Sequence, residues 1–344
     1  MFDIKKLVIT AISLLLIFSF IGCGEADESV SVANEEVPTE LKEEARTEGQ
    51  KLKQKIENDS GFLRKAVEST EKNAAENLFG FMSSMAEETF EEALDVATET
   101  LPGVGLSAEE EAKIAELVKE EIFKDYRRSE DEALRGYVQG VADRMVKEIE
   151  ALEESVEVII LDTEEIGAYA LPDRNIIFTR GFLELLENEA QLAGVMGHEL
   201  GHIYLKHPIR RIKAGRIPAR VLEEAGVMDE ATLVEHAGEM ASAVLTHPLS
   251  QPAEFSADAY GAVFSLQACY NGHGLIGALE LLDEISDNER KFLLENILAT
   301  HPKTSQRVAV LEYILSKVVS PPRPELNFNE SYKKIDQLVK NVKE

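Results

Sequence analysis

Along most of this chain apolar residues recur every three or four positions, the spacing of one helix face. Ser107-Ala108-Glu109-Glu110 forms a capping box, with Glu111 adding charge where the helix dipole favours it, and predicts a helix to about Lys124. A second helix follows with Leu134, Val138, Val141 and Met145 on one face. The period then changes. Val156 to Leu161 is a β-branched run, and Ala168–Leu171 and Asn175–Thr179 flank a Pro172-Asp173 turn. From Glu184 the helical pattern resumes almost to the end, broken at Pro252, Pro302 and Pro321-Pro322. Upstream, residues 40 to 75 are highly charged with sparse apolar positions, which predicts a solvated helix. Leu78, Phe79, Met82, Met85 and Phe90 form an apolar stripe that serves either core packing or a membrane or partner surface. These elements predict an α+β fold, mostly helical, with a small sheet whose edge strand, near Asn175–Thr179, could hold an extended chain by main-chain pairing.

The first residues read as an address. Lys5 and Lys6 precede the apolar run Leu7 to Phe20, and Ile21, Gly22 and Cys23 follow, the order of an export signal. A cysteine at that place resembles the lipobox of bacterial lipoproteins, which implies lipidation of Cys23 and a membrane anchor through that lipid. An uncleaved membrane anchor is the alternative, but the run is shorter than the roughly 20 residues a spanning helix needs. The expected division is a signal peptide at 1–22, an acidic spacer at 23–40, a helical extension at 41–106, a catalytic domain at 107–318 and a tail at 319–344. The 344 residues carry a net charge of −28, which argues against nucleic acid as a partner, because a polyphosphate requires basic surface. Only two cysteines are present, so no disulfide framework follows. Cys269, in the helical-looking stretch 261–270, reads as a small buried apolar residue.

Chemistry concentrates at 190–207, AQLAGVMGHELGHIYLKH. Four residues apart on a helix, His198 and His202 project together and can clamp one metal ion. Zinc suits imidazole, and a catalytic zinc takes three protein ligands. Glu199, one residue along, can reach the attacking water as general base without binding the metal. Gly197 and Gly201 let a neighbouring backbone or substrate approach. The alternative is a helix carrying two incidental histidines and a glutamate, against which stand the apolar flanks Leu192, Val195, Met196, Leu200 and Ile203. His207 is too close on the same helix to complete the tetrahedron and is expected beside the ligands or at the surface. Downstream, Ser250-Gln251-Pro252 reads as a helix start, with Glu254 and Asp258 on one face. Either these carboxylates form a solvated face, or Glu254 is the third ligand and Asp258 accepts the other ring N–H of a ligating histidine. Thr300-His301-Pro302 is either an exposed turn or a loop that brings His301 to the metal as an oxyanion donor or displaceable fourth ligand. Arg307 follows as a candidate charged clamp.

GHELGH at 197–202, EFSAD at 254–258, THPKTSQR at 300–307 and AYALPDRNIIFTRG at 168–181 together resemble the peptidase family of HtpX, the CAAX prenyl endopeptidase and the mitochondrial Oma protease. The resemblance covers about Ser107 to Val318. It implies a zincin-like domain with two metal-bearing helices, one zinc held by His198, His202 and Glu254, and catalysis by Glu199. It further implies that Asp258 orients a ligand and that His301 and Arg307 lie at the active site. Polypeptide substrates follow, in unfolded or misassembled envelope proteins, with the catalytic domain in the periplasm. Gln251 stands where arginine is usual in that family, Gly167 where asparagine is common, and Asp173-Arg174 where a Gly-Gly turn is typical. A non-catalytic chaperone or assembly scaffold is the rival expectation.

Overall fold

The structure is a computed structural model and describes residues 38–58, 62, 107–149, 152, 155–214, 230–286, 291–301, 304–316 and 326–327. The apolar run at 7–20, Cys23, the acidic spacer to residue 37 and the stripe from Leu78 to Phe90 lie outside these residues.

The described elements begin with α1 (Thr39–Asn58), α2 (Ala108–Asp125) and α3 (Glu132–Glu148). Three short strands follow, β1 (Val158–Leu161), β2 (Ala168–Ala170) and β3 (Ile176–Thr179). The rest is helical: α4 (Arg180–Leu185), α5 (Glu189–Tyr204), α6 (His207–Ala214), α7 (Glu230–Thr246), α8 (Gln251–Gln267), α9 (Gly274–Ser286), a 3-10 turn (Lys291–Leu294), α10 (Glu295–Thr300) and α11 (Thr304–Ser316). No helix among the described residues is long and apolar enough to cross a membrane.

Local chemistry sets several boundaries where the sequence places them. The Ser107 hydroxyl accepts from Glu110 N–H, and the Glu110 carboxylate accepts from Ser107 N–H at 2.6 Å, so the capping box starts α2 as expected. Ser250 caps α8 through Ala253 N–H, with Pro252 in the first turn where a missing N–H costs nothing. Cys269 is buried as expected, but the helix ends at Gln267 and Cys269 turns left-handed, with φ 63°.

The sheet separates two apolar cores. Its order is β1-β3-β2, with β1 parallel and β2 antiparallel to β3. Val158, Ile160, Ala168, Ala170, Ile176 and Phe178 face one core, with α3, α5, α8, α9 and α11. Ile159, Leu161, Tyr169, Leu171 and Ile177 face the other, with α2, α6 and α7. Burial on both faces is why the strands read as unbroken apolar runs rather than alternating ones.

Two expectations are corrected here. Asn175–Thr179 is not an edge strand: β3 pairs on both sides, and the edges are β1 and β2. The charged helix at 39–58 is not wholly solvated, because Ala45, Glu48, Gly49 and Leu52 are buried. A Cβ on Gly49 would lie 3.0 Å from Gln267 N, so α1 is seated directly on the end of α8.

Candidate metal centre

α5 is buried on every side from Glu189 to Ile203, so its apolar flanks are packing residues and its polar ones need partners. α8 crosses it at backbone distance. A Cβ on Gly201 would meet Ala257 O at 2.8 Å, and one on Gly261 would meet His198 N at 2.9 Å. The small residues therefore admit a neighbouring backbone, and that backbone carries Glu254 and Asp258.

His198 Nε2 and His202 Nε2 lie 2.9 Å apart. Glu254 Oε2 is 3.6 Å from the first, and its Oε1 is 3.5 Å from the second. His301, at the end of α10, brings Nδ1 to 3.3 Å from His198 Nε2 and 2.8 Å from Glu254 Oε2. All four residues are buried and can hold one metal ion together. The separations fit zinc: bonds of about 2.0–2.1 Å place tetrahedral ligands about 3.3 Å apart. Polar atoms without hydrogen bonds point the same way, since Glu254 Oε1 and His301 Nε2 have none despite burial. Among the described residues the turn at His301 is thus buried at the cluster, not an exposed turn.

Hydrogen bonds fix how the rings present themselves. Asp258 Oδ1 sits 2.8 Å from His198 Nδ1, which assigns the ring proton to Nδ1 and leaves the Nε2 lone pair facing His202 and Glu254. Arg307 grips the same Asp258 with Nε at 2.8 Å and Nη2 at 2.6 Å, and its Nη1 lies 3.3 Å from Glu254 Oε2. Its clamp therefore closes on these two carboxylates. His207, expected beside the ligands or at the surface, is buried with Nδ1 2.7 Å from His202 Nδ1. Glu199 accepts Ala170 N–H at 2.8 Å, with Oε1 4.0 Å from His301 Nε2. Sequence reasoning missed the Ala170 amide. No sequence signal marks it, because any residue there has an N–H.

Electrostatics match a cation site. Burial pushes the His202 imidazole well below its ordinary value, and His198 beside it adds to this. Burial also lowers His301, with Glu254 offsetting only part. Burial alone would raise Glu254, but His301 and Arg307 outweigh it and hold the carboxyl well below the usual range. Asp258 is likewise held low, against its burial, chiefly by Arg307. Neutral imidazoles and an ionised carboxylate are the forms that bind zinc.

The profile of peptidase family M48 matches residues 132–315, more than half of the chain, and spans all of these groups. The chain belongs to peptidase family M48. It is similar to the beta-barrel assembly-enhancing protease of Escherichia coli, 25% identical over 230 residues, 62% of this chain and 46% of that protein. It is also similar to metalloprotease YcaL of Escherichia coli, 23% identical over 162 residues, 46% of this chain and 60% of the relative. The mitochondrial metalloendopeptidase OMA1 of Arabidopsis thaliana is 26% identical over 157 residues, 46% of this chain and 31% of the relative. The chain spans about half the length of the first of these relatives. Within M48, the three departures have local explanations. A Cβ at Gly167 would meet the Tyr169 hydroxyl at 2.5 Å, so the phenol occupies the space a side chain there would need. Arg174 takes the left-handed position of the turn, φ 70°, with its N–H donating to Leu171 O. Gln251 reaches Gln306 at 3.4 Å.

Proposed function

We propose that this chain is a zinc-dependent endopeptidase in which His198, His202 and Glu254 hold the metal and Glu199 is the general base. The observation that carries the reading is a buried carboxylate, Glu199, fixed by a backbone amide beside four converging donors. Metal storage alone has no use for that carboxylate. Bound zinc supplies Lewis acidity, polarising a peptide carbonyl and acidifying water. Glu199 takes the proton of the attacking water and delivers it to the departing amine. Asp258 keeps His198 in the ligating tautomer, and Arg307 holds Asp258 and Glu254 in place. His301 is a displaceable fourth donor that keeps the chain latent until substrate enters.

β2 supplies the substrate cleft. Gly167 O and Leu171 N bond toward β3, so the backbone groups of Ala168 and Ala170 point away from the sheet, where Glu199 takes the Ala170 N–H and the others are left for a substrate. An extended peptide pairs along that edge with little sequence demand. The substrates are unfolded or misassembled envelope proteins, consistent with a relative named for assembly of β-barrels. Residues 107–318 form the catalytic domain, and a lipid on Cys23 anchors it in the cell envelope.

Glu199→Gln separates this from a scaffold: turnover of denatured protein falls at least about 100-fold while zinc content stays at one per chain. A variant that cleaves as well as the parent removes the reading. His301→Ala is expected to raise activity, and equal or lower activity removes the latent state. Failure of the zinc-loaded chain to cleave any denatured protein refutes the substrate class. Mass spectrometry of the exported protein is expected to find residue 23 acylated at the N-terminus; an intact Met1 with a free Cys23 thiol rules out the anchor.

A further inference from the structure

One buried cation near the centre takes no part in that chemistry. Arg211 lies on α6, one turn beyond His207, on the side of the helix that His207 presents to His202. It is 4% exposed. Its Nη1 donates to Val244 O at 3.2 Å, while Nε and Nη2 have no hydrogen-bond partner. Burial lowers its guanidinium from the ordinary value, and the negative charges of Glu254 and Glu199 offset part of that. The α6 sequence HPIRRIKA is a basic patch in a chain of net charge −28.

A buried guanidinium with two idle donors is costly unless something occupies them. Nε and Nη2 form one edge of the planar guanidinium, two parallel N–H groups spaced for the two oxygens of a carboxylate. We propose that Arg211 is a specificity-determining residue whose Nε–Nη2 edge binds a carboxylate of the polypeptide substrate. The Val244 carbonyl fixes the guanidinium so that this edge is presented without further ordering. The carboxylate comes from an acidic side chain near the scissile bond or from the substrate's own C-terminus. This proposal rests on the peptidase reading, but it concerns binding, which turnover does not limit.

The test uses the zinc-loaded full chain carrying Glu199→Gln, which holds peptides without cleaving them. Peptides tiling a denatured protein are titrated in matched pairs, Glu against Gln at each position and free C-terminal carboxylate against amide. At least one pair is expected to differ about 10-fold or more in Kd. Which pair differs identifies the source. Adding Arg211→Met is expected to bring that ratio to about one in a variant that stays folded, as its Tm reports. Arg211→Lys keeps the charge but not the fork and is expected to retain only part of the ratio; it carries the comparison if the methionine variant does not fold. Equal Kd within every pair overturns the proposal. So does a ratio that survives both substitutions. An Arg211-dependent ratio in a chain whose parent cleaves nothing would uphold this proposal and refute the peptidase reading.

Discussion

Asp162 ties the chain beyond β1 to the start of α4, away from the centre. Its carboxylate accepts from Arg180 Nε at 2.8 Å and pairs with Arg127. Arg180 is buried and leads from β3 into α4. Arg180 first, and Arg127 after it, hold Asp162 below the usual carboxylate value against its desolvation. A depressed folded pKa contributes stability that is complete above the unfolded value, about 3.9, and fades as pH falls through the folded one. Asp162→Asn is therefore expected to cost about 1–3 kcal/mol at pH 7, with the gap from the parent narrowing below about pH 4. Urea titrations at pH 7 and pH 3 measure this, and a gap that widens in acid contradicts it. At the same scale, the sequence was informative where roles depend on neighbours in the chain. The convergence of His198 and His202 was readable because one helix turn brings them together. The contact of Ala170 with Glu199 and the burial of Arg211 were not, since both arise from surfaces that meet only on folding. The basic α6 in an acidic chain was the one available hint for Arg211.

At the scale of elements, the pairing of α5 with α8 sets the ligand spacing. Gly201 and Gly261 let the two backbones meet, so the distance from His198 to Glu254 follows from main-chain contact. Gly261→Ala places a methyl against His198 N and must push the helices apart. The expected cost is about 1–3 kcal/mol in stability together with at least about 10-fold weaker zinc binding. Calorimetric titration of the folded variant checks it; unchanged zinc affinity would show that side chains set the spacing. Helix starts at Ser107 and Ser250 were legible because caps are short-range. The strand order was not, because pairing is decided across the fold, and an apolar run reads alike at the edge and in the centre. The charged pattern of α1 likewise hid Ala45, Gly49 and Leu52, whose burial depends on α8 arriving beside them.

At the scale of the molecule, two cores share one thin sheet, and the centre lies where α5, α8 and the loop at His301 converge from one side. Close packing of imidazoles and carboxylates without a cation leaves lone pairs facing one another. Removing the metal is therefore expected to destabilise the whole domain. A chelator should lower Tm by several degrees, and added zinc should restore it in a concentration-dependent way, as linkage requires. A Tm indifferent to chelator would mean that the pocket holds its shape without an ion. The fold class was legible from periodicity, a helical pattern interrupted by one short β region, whereas burial of the sheet on both faces was not, because it depends on helices that arrive from both ends of the chain.

Asp258 serves two clients, the ring proton of His198 and the Nε–Nη2 fork of Arg307. Histidine, aspartate and arginine are thus wired in series, and cutting any link disables the circuit. Substitutions at the three positions should fail to add: the triple variant should be scarcely worse than the poorest single one.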